Sequence, residues 1–305
     1  MQIYEFSRFV RPNLTEAHYF PDQNYQRNPF PPHIPSDFYL YRHKTECMSE
    51  ILFDISNGVG RITLNRPDVL NSFNRDMALA MQDALDECAS NSEVRCILIT
   101  GAGRAFCAGQ DLQEAISTDG PGMQNIVKEH YNPIILKIRG IEKPVVAAVN
   151  GVAAGAGANI ALAADMCIAT ESASFIQAFS KIGLIPDSGG TFTLPRLVGF
   201  QRATALMMLG DKVSASDAAN MGMIYRAVPD EEFSAETDKL CNKLAIMPTR
   251  GLGLTKRALN LSMNNDLGQQ LDVEESLQTQ AGKSYDYREG VNAFLEKRKP
   301  EFQGK

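Results

Sequence analysis

The chain has 305 residues, 44% apolar and 22% charged, which allows a sizeable hydrophobic core and is ordinary for a soluble globular protein. A net charge of -6 argues against nucleic acid as a partner, because phosphate contacts need clustered Lys and Arg. No run approaches ~18 consecutive apolar residues, so no membrane span is expected.

Residues 1–47 are unlike the rest, with ten of the chain's aromatics, six of its 15 prolines and three of its four histidines. Neither the helical nor the strand period persists there. No charged segment precedes an apolar one as in a secretory signal, and five acidic residues argue against a transit peptide. Met48-Ser49-Glu50 then opens directly into a strand pattern. The segment reads as an extension, disordered or upstream of a natural start at Met48; the alternative is an ordered arm packing on a neighbouring subunit. An α/β core is expected over 48–245 and a helical region over 246–305.

Ile51–Ser56 and Val59–Leu64 flank Asn57-Gly58, a hairpin signal because both residues accept positive φ. A helix capped by Asn74 follows, with Met77, Met81, Ala84, Leu85 and Cys88 on one face. Cys96–Thr100 is a short apolar run of the kind buried in a parallel sheet. A second cycle has a helix near 123–139, a strand over Val145–Val149, a helix near 156–164 and a strand over Met166–Ala169. Strands alternating with helices imply crossovers and an α/β core. Beyond residue 200 the pattern is mostly helical, near 201–209, 214–221, 231–246, 249–262 and 285–297.

The six cysteines form no metal-like spacing, and Cys88, Cys96 and Cys167 sit in apolar patterns as reduced core thiols. That fits a reducing, cytoplasmic compartment. After residue 47 the only histidine is His130, which reads as a partly exposed helix residue rather than a base. No nucleophile elbow, phosphate loop or full dinucleotide fingerprint occurs, and ligand clusters for a metal are wanting, so no metal is expected.

What remains are two glycine-rich strand-to-helix turns, Phe106–Leu112 and Asn150–Asn159. Small residues there let a ligand approach the backbone and leave N–H groups free to hold an oxyanion, or they only permit tight packing. A third segment, Gly183–Thr191, contains Asp187. A carboxylate in that apolar, tightly turned setting can take and return a proton, or it can cap the next helix. Turn chemistry alone leaves both open.

Taken together, the pieces resemble the crotonase (enoyl-CoA hydratase/isomerase) superfamily over residues 49–305. They are Asn65-Arg66-Pro67 with Asn71-Ser72-Phe73, then Gly103–Leu112, Lys143–Gly151 and Gly183–Thr191. The resemblance implies an α/β spiral of ββα units with a C-terminal helical trimerisation region, assembled as a homotrimer or a dimer of trimers. It also implies a coenzyme A thioester substrate, with coenzyme A as part of the substrate and no separate cofactor. The thioester carbonyl would be held by the N–H groups of Ala108 and Ala156, with Ala105, Gln110, Asp111, Leu112 and Gly155 around it. Arg66, Arg104 and Lys297 are candidate cations for the coenzyme A phosphates.

Hydratases of the family place two catalytic glutamates where this chain has Asn159 and Phe179. Hydration is therefore disfavoured, and Asp187 remains as the acid-base group of an isomerase. Stretches at Ala178–Thr191 and Asp286–Val291 resemble the phenylacetate-pathway branch. That resemblance implies rearrangement of a ring epoxide to an oxepin, with a side activity that shifts enoyl double bonds. Alternatives are a 3,2-enoyl-CoA isomerase of fatty-acid oxidation, an aspartate nucleophile as in aromatic acyl-CoA dehalogenases, and a non-catalytic RNA-binding or scaffolding homologue.

Overall fold

The expected hairpin is present in the computed structural model, which describes residues 49–305. The expectation for residues 1–47 lies outside the described residues. β1 (Ile51–Ser56) pairs antiparallel with β2 (Val59–Leu64), and Asn57 and Gly58 turn between them with φ of 52° and 76°. α1 (Arg75–Ser90) starts where the Asn74 side chain accepts from the Met77 N–H at 2.9 Å, and it buries Met77, Met81, Ala84, Leu85 and Cys88.

β3 (Cys96–Gly101) and β4 (Ala105–Cys107) lead to the short helices α2 (Leu112–Ile116) and α3 (Gly122–Asn125). A single continuous helix is expected near 123–139, but the chain forms a π-helical turn over Ile126–Tyr131 and then α4 (Asn132–Gly140). Pro133 has no N–H to donate to the turn before it, which favours such a break. The wider turn buries His130 and Tyr131, so His130 is not the partly exposed residue expected.

The chain continues through β5 (Val145–Val149), β6 (Val152–Ala154), α5 (Ala156–Ala163), β7 (Met166–Thr170) and β8 (Ser174–Ile176). Next come α6 (Gly190–Val198), α7 (Phe200–Leu209), β9 (Lys212–Ser214), α8 (Ala215–Asn220) and β10 (Arg226–Val228). The end is helical: α9 (Phe233–Ala245), α10 (Thr249–Ser262), α11 (Leu267–Ala281) and α12 (Tyr285–Leu295).

Two sheets result. The larger runs β1-β2-β3-β5-β7-β10 and is parallel from β2 onward; the smaller runs β4-β6-β8-β9. β3, β5 and β7 are each followed by a three-residue strand of the second sheet, so the chain winds as the expected α/β spiral. In β5 the alternate residues Val145, Ala147 and Val149 enter one apolar cluster while Val146 and Ala148 enter another. Burial on both faces explains why that strand is apolar throughout.

α10 is fastened to the core by Lys256, whose buried ammonium lies 2.8 Å from the Asp165 carboxylate and donates to the Ile138 carbonyl at 2.6 Å. Cys88, Cys96 and Cys167 are buried free thiols, as expected. No described helix is long and apolar enough to cross a membrane.

Candidate active site

Two glycine-containing turns touch at the start of α5. The first leaves β4 at Cys107 and runs through Gly109 and Gln110 into α2. Phe73 bridges it, its N–H donating to Gly109 O at 2.7 Å and its carbonyl accepting from the Asp111 N–H at 2.8 Å. The second turn leaves β6 and enters α5 at Ala156. Contact between them is close enough to demand glycine. A Cβ at Gly157 would lie 2.5 Å from Cys107 O, and one at Gly109 would lie 3.0 Å from Ala154 O and 3.6 Å from Ala156 N. Gly109 and Gly155 also hold positive φ, 99° and 53°.

The hydrogen bonds decide which amides are free. Ala108 N–H donates to Leu70 O at 2.9 Å, so it is not available to a ligand, and this corrects its expected role as a donor. The Gln110 N–H, two residues on in the same turn, has no acceptor among the described residues. Neither has the Ala156 N–H, which opens α5 and therefore lacks an intrahelical partner. Two free N–H donors, Gln110 and Ala156, thus stand on two turns that touch. The sequence marked the turn by its glycines, but the identity of the free amide depends on the Phe73 bridge, which no local signal announces.

Gln110 is also tied through its side chain. Its Oε1 accepts from the Tyr131 hydroxyl at 2.8 Å, and its Nε2 donates to Glu114 at 2.9 Å. Tyr131 was not anticipated; the π-helical turn brings it here. Burial pushes its hydroxyl well above the ordinary value, and the carboxylates of Asp187, Glu114 and Asp111 add to the effect. Next to it, burial holds the His130 imidazole below its ordinary value, and its Nδ1 has no partner among the described residues.

Asp187 lies in the turn before α6. Burial pushes its carboxyl above the ordinary value, against the Ser188 hydroxyl, which donates to Oδ1 at 2.8 Å and pulls it down. No cation pairs with it among the described residues. It does not cap α6: Gly189 holds that position with φ of 70°, and no side chain bonds the helix start. The Asp187 carbonyl accepts from the Asn159 side chain and from the Gly190 N–H, both at 2.8 Å. Asn159 in turn accepts from Gln177 Nε2 at 2.8 Å. Phe179 is buried, its ring tip 3.9 Å from where a Cβ at Gly155 would stand.

The remaining expected residues divide. Ala105 is buried, and its carbonyl accepts from Asn71 Nδ2 at 2.8 Å. Asp111 caps α2 through the Gln113 N–H at 3.0 Å and pairs with Arg66 at 3.0 Å. Arg66 also donates to the Ser72 carbonyl, so its guanidinium braces the loop before α1 and is not a free cation for phosphate, contrary to expectation. Leu112 is exposed. Arg104 and Lys297 are exposed and form no ion pair among the described residues.

The profile described as enoyl-CoA hydratase/isomerase matches residues 54–305. The chain is 49% identical over 263 residues to the 1,2-epoxyphenylacetyl-CoA isomerase of Escherichia coli K12, covering 85% of this chain and 100% of that relative. It is 46% identical over 255 residues to a Rhodobacter capsulatus protein named a probable enoyl-CoA hydratase, covering 84% and 98%. It is similar to the crystal structure of an enoyl-CoA hydratase from Bacillus anthracis, with a TM-score of 0.78 and 31% identity over 84% of this chain and 100% of that one. With its α/β spiral and its paired glycine turns, the chain belongs to the enoyl-CoA hydratase/isomerase (crotonase) family.

Proposed function

We propose that this protein isomerises 1,2-epoxyphenylacetyl-CoA to the seven-membered oxepin thioester. The Gln110 and Ala156 N–H groups receive the thioester oxygen, and Asp187 carries the proton. Hydrogen bonds to that oxygen stabilise the enolate, which acidifies the acyl carbon next to the carbonyl. Asp187 removes a proton there as the epoxide ring expands, and returns it to the ring. The substrate's atoms are all retained, so no oxidant or second substrate is needed.

One observation carries the reading: Asp187 is a carboxylate of raised proton affinity tied through Asn159 to α5, the helix that opens with the free Ala156 N–H, while Asn159 and Phe179 stand where the resemblance puts the hydratase glutamates. Neither an amide nor a phenyl ring can activate water by proton transfer, whereas one carboxylate suffices to move a proton between two carbons. Arg104 and Lys297 are the cations we assign to the coenzyme A phosphates. The exposed apolar residues Leu267, Leu271, Phe294 and Leu295 of the terminal helices fit burial in a homotrimer or a dimer of trimers.

Asp187→Asn tests the assignment. It should bind phenylacetyl-CoA, an analogue with no epoxide to rearrange, as the parent does, while turnover of epoxyphenylacetyl-CoA falls about 100- to 10,000-fold. Near-normal turnover would eliminate Asp187 as the proton carrier. Faster turnover of 3-enoyl-CoA than of epoxyphenylacetyl-CoA by the parent would instead favour a fatty-acid enoyl isomerase.

A further inference from the structure

The two positions without carboxylates are used differently. Phe179 supplies an apolar ring next to the Gly155 turn, while Asn159 is built into the support of Asp187. We propose that Asn159 and Gln177 are positioning residues: their side-chain amides form a relay that fixes the Asp187 peptide, and so sets where the carboxylate stands relative to the Ala156 N–H. This rests on the reading of Asp187 as the proton carrier.

Asn159 is buried in α5, three residues and so about one helical turn beyond Ala156. A single short helix therefore carries the free amide at its first residue and the Asp187 brace one turn later. The brace has only one satisfied orientation. Gln177 Nε2 donates to Asn159 Oδ1, which leaves Asn159 Nδ2 to donate to Asp187 O. Flipping the Asn159 amide would set oxygen against oxygen at Asp187 and NH2 against NH2 at Gln177, two buried mismatches. Gln177 is itself buried, and its Oε1 has no hydrogen-bond partner among the described residues, so packing alone holds the outer end of the relay.

The turn around Asp187 is shaped to receive this brace. Ser188 and Gly189 both lie in the left-handed region, with φ of 50° and 70°. For Ser188 that conformation is uncommon and is kept by its surroundings. A Cβ at Gly190 would come within 2.3 Å of Asn159 Nδ2, so glycine is required for Asn159 to reach the Asp187 carbonyl. The Ser188 hydroxyl then fixes the remaining side-chain rotation through Asp187 Oδ1. The backbone is held from α5 and the carboxylate from its own turn, and neither contact uses the substrate.

The test compares the parent, Asn159→Asp, Gln177→Leu and Asp187→Asn, using turnover of epoxyphenylacetyl-CoA and binding of phenylacetyl-CoA. Asn159→Asp keeps the shape but loses the donor to Asp187 O. Its kcat should fall about 100-fold, the scale of an ångström-sized misplacement, with KM and phenylacetyl-CoA affinity unchanged. Gln177→Leu, which does not touch Asp187, should show a smaller fall in kcat with the same unchanged KM. A brace that served folding alone would lower the melting temperature without this split between kcat and KM. Parental kcat in folded Asn159→Asp, alongside an inactive Asp187→Asn, overturns the relay and leaves Asp187 in its role. If Asn159→Asp does not fold, Gln177→Leu decides, and parental kcat there overturns the relay. Normal turnover by Asp187→Asn refutes the proposed function and takes this inference with it.

Discussion

The Gln110 and Ala156 amides owe their positions to glycines that let two turns touch, whereas the Asp187 carboxylate owes its position to a string of side-chain hydrogen bonds. On the donor side the turn contact is made by backbone, its geometry comes from the absence of Cβ atoms, and the Gln110 side chain ties one turn to Tyr131 and Glu114. On the acid side the links from α5 and from Ser188 are side chains of particular type and orientation, set on a turn of glycine backbone. The donor side should therefore fail all at once when packing is violated, taking binding with it. The acid side can lose catalysis while the ligand still binds.

Ranked by effect on turnover, Asp187→Asn comes first, and it should leave phenylacetyl-CoA binding intact. Gly157→Ala comes next and breaks the other side. Alanine is the better helix former by about 1 kcal/mol, so propensity alone would stabilise α5. Its Cβ would stand 2.5 Å from Cys107 O, however, and the turns must part. The expected outcome is a loss of about 1–3 kcal/mol in urea denaturation together with weakened phenylacetyl-CoA binding. Unchanged binding would separate the turn contact from the donor pair.

The acid side should also report itself through pH. The working form of Asp187 is the carboxylate, so kcat/KM should fall on acidification at a pH above the ordinary aspartate value of about 4. The sign for stability is the reverse of that for an ion-paired aspartate. A folded pKa raised above the unfolded one means that the folded state binds the proton more readily. Stability is then lost as pH rises from the unfolded pKa through the folded one. Asp187→Asn should accordingly melt higher than the parent at neutral pH, with the gap closing in acid. An equal melting difference at all pH values would contradict the burial effect.

The smallest effect on turnover belongs to Lys256→Met, which lies on neither side of the pocket. It removes the ammonium 2.8 Å from Asp165, which keeps Arg139 at 3.3 Å and the Val145 N–H, and should cost about 1.5–3 kcal/mol in denaturation, with kcat per folded molecule unchanged.

The sequence was legible where a local rule and the final packing agree. Asn57-Gly58 demanded a hairpin and Asn74 a helix start, and both stand at those residues. Asp187 was legible as a residue but not as a role, because its turn allowed a cap. Only the position of Gly189 at the start of α6 removes that choice. Ala108 was misread as a donor because Leu70 O, 38 residues away in the chain, takes its N–H. The π-helical turn, and with it Tyr131 against Gln110, was hidden because a helical period does not reveal one extra residue in a turn. α11 was missed although Asp266 and Gln269 form a capping box, since Leu277 is its only buried residue and its apolar period is weak.

Proton exchange on a bound analogue tests the pairing of donors and acid most directly. Phenylacetyl-CoA carries the same acidic carbon beside the thioester but has no epoxide to rearrange. Incubated in D2O with the parent and followed by proton NMR, its acyl CH2 signal should decay as deuterium enters. With Asp187→Asn at saturating ligand, the signal should persist. Exchange by Asp187→Asn at the parental rate would contradict the assignment of Asp187 as the group that moves the proton.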